Sequence, residues 1–261
     1  MIPSNILRMS IVLMVLASCT VEPVVDPTLP DVLPSPADSS EFANPGEGEP
    51  EPPPASAPDT VRYLALGDSY TIGESVPSEG DWPNQLVDSL ALRLPATHFE
   101  PAHIIATTGW TTANLSQGMD AQQIDTAQFD LVSLLIGVNN QYQGLPLEAY
   151  EVEFAALLER AVALAGGDPE RVFVVSIPDY GYTPFGQLNQ SIISQALSNF
   201  NASCATLTGA AGIAHYDITP ISQQWPAAST WVAPDGLHPS ADQYAAWVAS
   251  FVADVQDQLL D

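Results

Sequence analysis

The 261-residue sequence contains no lysine and only five arginines, against 31 acidic residues, for a formal net charge of −26. That shortage of cations excludes nucleic acid as a partner, because phosphate contacts depend on Lys and Arg. It also disfavours electrostatic docking on anionic lipid. Cysteine is nearly missing: Cys19 and Cys204 are the whole supply, so no disulfide framework carries the fold. Four histidines, at 98, 103, 215 and 238, show no His-Glu-x-x-His spacing. With no zinc cluster, calcium loop or Gly-Lys-Ser/Thr phosphate cradle in view, neither metal nor cofactor is expected. Among apolar runs, residues 6–17 stand out, and that stretch is too short to cross a bilayer comfortably. What is present is apolar material, 46% of the chain. That rules out a wholly disordered polyanion and fits one ordinary domain with appendages.

The acids are not confined to a tail. Residues 1–60 hold nine of them with Arg8, and residues 61–261 hold the other 22 with four arginines. Self-repulsion of such a domain costs stability at low salt and less once screened. The expected result is a melting temperature that rises from low to molar NaCl; a flat or falling one contradicts salt adaptation, halophilic or marine.

Residues 6–17 end in Leu16-Ala17-Ser18-Cys19, with Arg8 as the only basic side chain before or within the run. This resembles a bacterial lipobox, which implies removal of residues 1–18 as a signal peptide and lipidation of Cys19. The expected location is then the cell envelope, membrane-attached through that anchor alone; an ordinary secretory signal and free secretion is the alternative. Thr20 departs from the inner-membrane retention pattern, which has Asp there. Acyl chains on one terminus supply stable attachment. Residues 19–60, with eleven prolines among acids, Gly and Ser, read as an extended flexible tether. Residues 61–261 are the expected domain. Cys204 within it reads as a small buried hydrophobe on a helix.

Across that domain, short apolar segments at 61–66, 102–107, 131–136, 171–177 and 212–216 alternate with helical periodicity at 84–94, 147–165, 188–210 and 240–259. The run at 131–136 is nearly continuous in apolar residues, as buried parallel strands are. The expected class is α/β: a three-layer α/β/α sandwich around a parallel sheet of about five strands. Ser240 is placed to cap the last helix.

In such a fold, function gathers in loops at the carboxyl ends of strands. Those loops read Gly67-Asp68-Ser69-Tyr70, Thr108-Gly109-Trp110, Gly137-Val138-Asn139-Asn140 and, before the last helix, Pro234-Asp235-Gly236-Leu237-His238-Pro239. The set resembles the SGNH hydrolases, the GDSL lipases and esterases, over roughly residues 61–258. Gly67-Asp68-Ser69 is similar to the nucleophile block, with Tyr70 where Leu is commoner. Gly109 is similar to the second block's glycine, Gly137-Val138-Asn139-Asn140 to the third, with Asn140 where Asp is frequent, and Asp235 with His238 to the last. One Gly-Asp-Ser is a weak signal; four blocks in family order, three of them after apolar strands, are a strong one.

The resemblance implies Ser69 as nucleophile, His238 as its base and then the acid for the leaving alkoxide, and Asp235 orienting the imidazole. It further implies an oxyanion hole made of the Ser69 and Gly109 amides and the Asn139 side chain. Asp68 reads as structural, ordering the nucleophile loop. There is no Gly-x-Ser-x-Gly elbow. For the substrate pocket, the sequence offers Tyr70, Trp110, Asn140, Tyr180 and Tyr182, with Tyr142 nearby; the alternative for Asn140 is that it orients the third-block loop. A serine esterase for small or short-chain carboxylic esters is the expectation. Carbohydrate O-acetylesterase, lysophospholipase or thioesterase are alternatives within the family, and a surface binding module with the hydrolase fold is the alternative outside enzymes. The expected partner is a small ester or acetylated molecule.

Overall fold

The computed structural model describes residues 59–124 and 128–260. The leader, Cys19 and nearly all of the tether lie outside the described residues. Five parallel strands make the main sheet: β2 (Tyr63–Gly67), β4 (His103–Ala106), β5 (Leu131–Leu135), β6 (Val172–Val175) and β7 (Ala214–Tyr216), in the order β4-β2-β5-β6-β7. Two shorter strands, β1 (Thr60–Val61) and β3 (His98–Phe99), pair in parallel beside it. Every residue of β2, β5 and β6 is buried. That is why their sequences are almost unbroken in Leu, Val, Ala and Phe and do not alternate. The polar exceptions satisfy each other: the hydroxyls of Tyr63 on β2 and Ser133 on β5 lie 2.6 Å apart.

The long helices follow from periodic apolar faces. They are α2 (Trp82–Arg93), α3 (Thr112–Ala121), α5 (Leu147–Leu164), α6 (Gln190–Ala210) and α8 (Ala241–Leu260). Helices α2 and α8 pack together, while α3 packs on α5 and α5 on α6. A right-handed return from β2 to β4 puts α2 on one face. The returns that move the other way across the sheet put α3, α5 and α6 on the opposite face, which completes three layers. On α8 the residues Tyr244, Trp247, Phe251, Val255 and Leu259 are buried, each contributing about 1.5–3 kcal/mol. Ser240 Oγ accepts from the Gln243 amide and caps that helix. Trp82, at the start of α2, is fully buried and meets Phe173 and Phe251 edge-on. Cys204 is buried in α6, and burial pushes its thiol up to about 12, as befits a packing residue.

The five apolar segments became the five strands of the main sheet, trimmed by a few residues. Helix α3 and the single-turn helices α1 (Ser69–Ile72), α4 (Val138–Tyr142) and α7 (Thr219–Ser222) were not evident from periodicity. α3 carries Asn, Ser, Thr and Gly, all poor helix formers. It is started by a reciprocal cap between Thr111 and Asn114 and held by burial of Leu115 and Met119.

With this strand order the chain reverses direction across the sheet between β2 and β5. The crevice at the carboxyl ends of those two strands is where an open α/β sheet offers a site.

Candidate active site

Gly67 ends β2, and α1 begins at Ser69 with Asp68 as its cap: Asp68 Oδ1 accepts from the Tyr70 amide at 3.0 Å. A one-turn helix directly after a strand fixes Ser69 at the sheet's rim. Asp68 is wholly buried, and its Oδ2 meets no protein donor among the described residues. Burial pushes this carboxyl up to about 7, against the opposing pull of the Tyr70 amide. A carboxyl raised in the folded state opposes folding once ionised. Its cost is absent below 3.8, grows between there and about 7, and is constant above. Asp68→Asn keeps an oxygen for the Tyr70 amide and removes the charge. It is expected to raise the melting temperature near about pH 8 and to lose that advantage by about pH 4, read by thermal unfolding across pH.

After β4, the segment Thr108-Gly109-Trp110 leads into α3. Gly109 has φ +85, and a side chain there would meet no protein atom within 4 Å. The glycine is therefore demanded by its left-handed backbone and not by crowding from the protein. Neither the Ser69 nor the Gly109 N–H has a backbone partner among the described residues. After β5, α4 presents Asn139, whose side-chain N–H donates to the Trp110 carbonyl at 2.9 Å. That bond fixes the amide plane and leaves the second N–H of the same nitrogen without a protein acceptor among the described residues.

Asp235 and His238 lie in the loop before α8. Asp235 Oδ1 accepts the amides of Leu237 and His238 at 2.9 and 3.0 Å. Oδ2 lies 2.6 Å from His238 Nδ1. The loop is closed by the Ala233 amide donating to the His238 carbonyl at 2.8 Å. The three-residue spacing thus folds as a turn, not as one turn of a helix. Partial burial pushes the Asp235 carboxyl up. The donors Ser75, His238 and the two amides outweigh that and bring it down to about 2. Its ionised form therefore supports the fold in full above 3.8, and that support is lost as pH falls through about 2. The side chain is 30% exposed, so solvent keeps the energy small. Tyr70 braces the imidazole edge-on, with ring centres 5.7 Å apart.

Ser69, Tyr70, Thr108, Gly109, Val138, Asn139, Tyr142, Tyr180, Phe185, Leu237 and His238 line one cavity of about 260 Å³. It brings together the serine, the imidazole, the glycine and the asparagine from four separate loops. Ser69 Oγ makes no side-chain hydrogen bond among the described residues, a looseness common before substrate binds. Its arrangement of hydroxyl, oriented imidazole and convergent N–H groups is suited to acyl transfer.

Three expected pocket residues are corrected. Asn140 is fully buried and bridges two loops: its Oδ1 accepts the Thr112 amide at 3.0 Å and its Nδ2 donates to Thr112 Oγ1 at 2.7 Å. The Thr112 hydroxyl in turn donates to Glu153. Trp110 turns its ring onto α3, against Gly118, where a side chain could not fit. Tyr182 lies outside the cavity lining. Conversely Val138, Phe185 and Leu237 do line it, and only tertiary structure selects them. Tyr180 is held in the wall by its hydroxyl donating to Gln141 at 2.9 Å.

A family model described as the GDSL-like Lipase/Acylhydrolase family matches residues 65–246. A protein of Vibrio mimicus named arylesterase is 25% identical over 211 residues, 76% of this chain and 90% of that protein. Among solved structures, a psychrotrophic esterase from a Pseudoalteromonas species, inhibited by monoethylphosphonate, is similar with a TM-score of 0.58 and 16% identity. The match covers 78% of this chain and 100% of that one. An acetylxylan esterase from Geobacillus stearothermophilus also has a TM-score of 0.58, at 17% identity, over 77% of this chain and 95% of that one.

Proposed function

Since the chain belongs to the GDSL-like lipase and acylhydrolase family, and is thus a hydrolase, we propose that it is a serine esterase in which Ser69, His238 and Asp235 form the catalytic triad. The observation that carries this reading is the 2.6 Å contact between Asp235 and His238 Nδ1, with His238 and Ser69 lining the same cavity. In this scheme the Ser69 hydroxyl attacks the ester carbonyl while His238 Nε2 takes its proton. The Ser69 and Gly109 amides and Asn139 stabilise the oxyanion. His238 then protonates the departing alkoxide. Water, activated by the same imidazole, attacks the acyl-serine, and release of the acid restores Ser69.

A small acyl group suits a cavity of this size walled by Tyr70, Tyr142, Tyr180 and Phe185. A carbohydrate acetyl ester is the second reading, supported by the fold shared with the acetylxylan esterase. Export, with lipidation of Cys19, rests on the residues from Leu16 to Cys19 and would hold the domain at an envelope surface.

Substrate charge should matter. Arg62 and Arg171 immediately precede β2 and β6, at the sheet end opposite the cavity. Arg93 ends α2, and Arg160, late in α5, pairs with Asp120. None lines the cavity, and the chain has no lysine. The neutral p-nitrophenyl acetate is expected to exceed the anionic mono-p-nitrophenyl succinate in kcat/KM by about tenfold at low salt. The gap should narrow near ~1 M NaCl; equal rates at low salt contradict it.

The direct test is covalent. A p-nitrophenyl alkylphosphonate should inactivate the full chain stoichiometrically and add its phosphonyl mass to the peptide that contains Ser69. An adduct on another residue, or none under conditions where the ester is turned over, refutes Ser69 as the nucleophile.

A further inference from the structure

We propose that Glu74 and Ser75 are positioning residues: together they form a clasp that holds the loop of Gly109 and the carboxylate of Asp235 in register with Ser69. This inference rests on the triad proposed above. The segment Gly73-Glu74-Ser75 follows directly on α1, and the Gly73 and Glu74 amides both donate to the Ser69 carbonyl. It is therefore tied to the nucleophile's own turn. Its two outward side chains reach the other two loops. The Thr108 hydroxyl, one residue before Gly109, donates to the Glu74 carboxylate. The Ser75 hydroxyl donates to Asp235 Oδ2 at 2.7 Å. These partners are 34 and 160 residues away in sequence, so one dipeptide ties the nucleophile's turn to two loops remote from it along the chain.

The backbone supplies a second, independent observation. Ser75 has φ +69, a left-handed conformation that residues with a Cβ rarely adopt. Glycine would fit there without strain. A serine kept in that conformation has its hydroxyl aimed at Asp235, and strain of this kind persists where the surroundings over-determine it. Neither Glu74 nor Ser75 lines the cavity, so both act through other residues.

Ser75 also shares the oxygen that faces His238. Asp235 Oδ2 receives the Ser75 hydroxyl and the imidazole, while Oδ1 is occupied by two amides. With Ser75 gone, Oδ2 loses one of its two donors, and the carboxylate is held against the imidazole by the Oδ1 amides alone. The titratable groups that face Asp235 are His238, by contact, and Tyr70 and Tyr244, through their electrostatic coupling to it. Both tyrosines are pushed well above their usual range by burial and stay neutral over the working pH range.

The test compares Ser75→Gly, Glu74→Ala and Glu74→Gln in the full chain, with Ser69→Ala alongside, using p-nitrophenyl acetate. Ser75→Gly relieves the backbone, so its melting temperature should equal or exceed that of wild type. Its kcat should nonetheless fall about five- to tenfold with KM little changed, a split that a merely structural role would not produce. Glu74→Ala should lower kcat similarly, and Glu74→Gln, which still offers Thr108 an oxygen, should recover most of it. Wild-type kcat in Ser75→Gly, with Glu74→Ala and Glu74→Gln alike, overturns the clasp while a dead Ser69→Ala leaves the esterase standing. A Ser69→Ala protein as active as wild type overturns both.

Discussion

Ser69→Ala is expected to reduce kcat/KM for p-nitrophenyl acetate on the order of 10⁵-fold while leaving the melting temperature within a degree or so. The two halves of that expectation have different causes. Without the hydroxyl there is no acyl-serine, so the remaining groups can only assist a water. The proposed oxyanion donors survive, since two of them are backbone amides, and are expected to sustain a small residual rate. Stability is untouched because Ser69 Oγ makes no side-chain hydrogen bond among the described residues, so its removal orphans nothing. Alanine also fits the first turn of α1 at least as well as serine does. A variant within about tenfold of wild type would remove Ser69 from the mechanism.

Asp235→Asn should lower kcat by about 10⁴-fold with KM nearly unchanged. The geometry around Asp235 says why so small a change is so costly. Both oxygens of the carboxylate act purely as acceptors. Oδ1 takes the amides of Leu237 and His238 inside a tight turn, and Oδ2 takes His238 Nδ1 and the Ser75 hydroxyl. An asparagine has one acceptor end. The two backbone amides cannot move without opening the turn, so the carbonyl oxygen stays with them and the NH₂ turns to the imidazole. His238 must then accept at Nδ1, which places its proton on Nε2, the nitrogen that should receive the proton of Ser69. The loss is therefore one of tautomer and of imidazolium stabilisation, not of folding. Activity measured with p-nitrophenyl acetate, beside a melting curve, separates the two; a kcat within about tenfold of wild type would show that Asp235 does not orient the base.

Much of this architecture was readable along the chain because it is written in local pattern. Continuous apolar runs such as residues 131–135 mark strands covered on both faces, and the apolar spacing of α8 marks a helix with one dry side. The loops after the strands were equally readable, because Gly67-Asp68-Ser69 and the spacing of Asp235 and His238 are contiguous features. The lining of the pocket was less so. Asn140 and Asn139 are neighbours of identical chemistry, yet one turn of helix sends Asn139 to the cavity and Asn140 into a buried bridge with Thr112. Trp110 is an aromatic close to the site in sequence, as Tyr142 is, but Gly118 leaves room for its ring on α3.

Composition and periodicity by themselves determined an acidic α/β chain and where its strands lie, while the residues for ester chemistry came from the resemblance of four loops to the SGNH hydrolases. A side chain's burial is fixed by neighbours in sequence only when the backbone between them is regular, as it is in strands and long helices. The tertiary structure alone decided which side chains face one cavity. It also decided that the four described arginines sit away from that cavity, and that Glu74 and Ser75, residues of a turn, reach Thr108 and Asp235. Those contacts span up to 160 residues and depend on strand order across the sheet, a long-range property that no local pattern encodes.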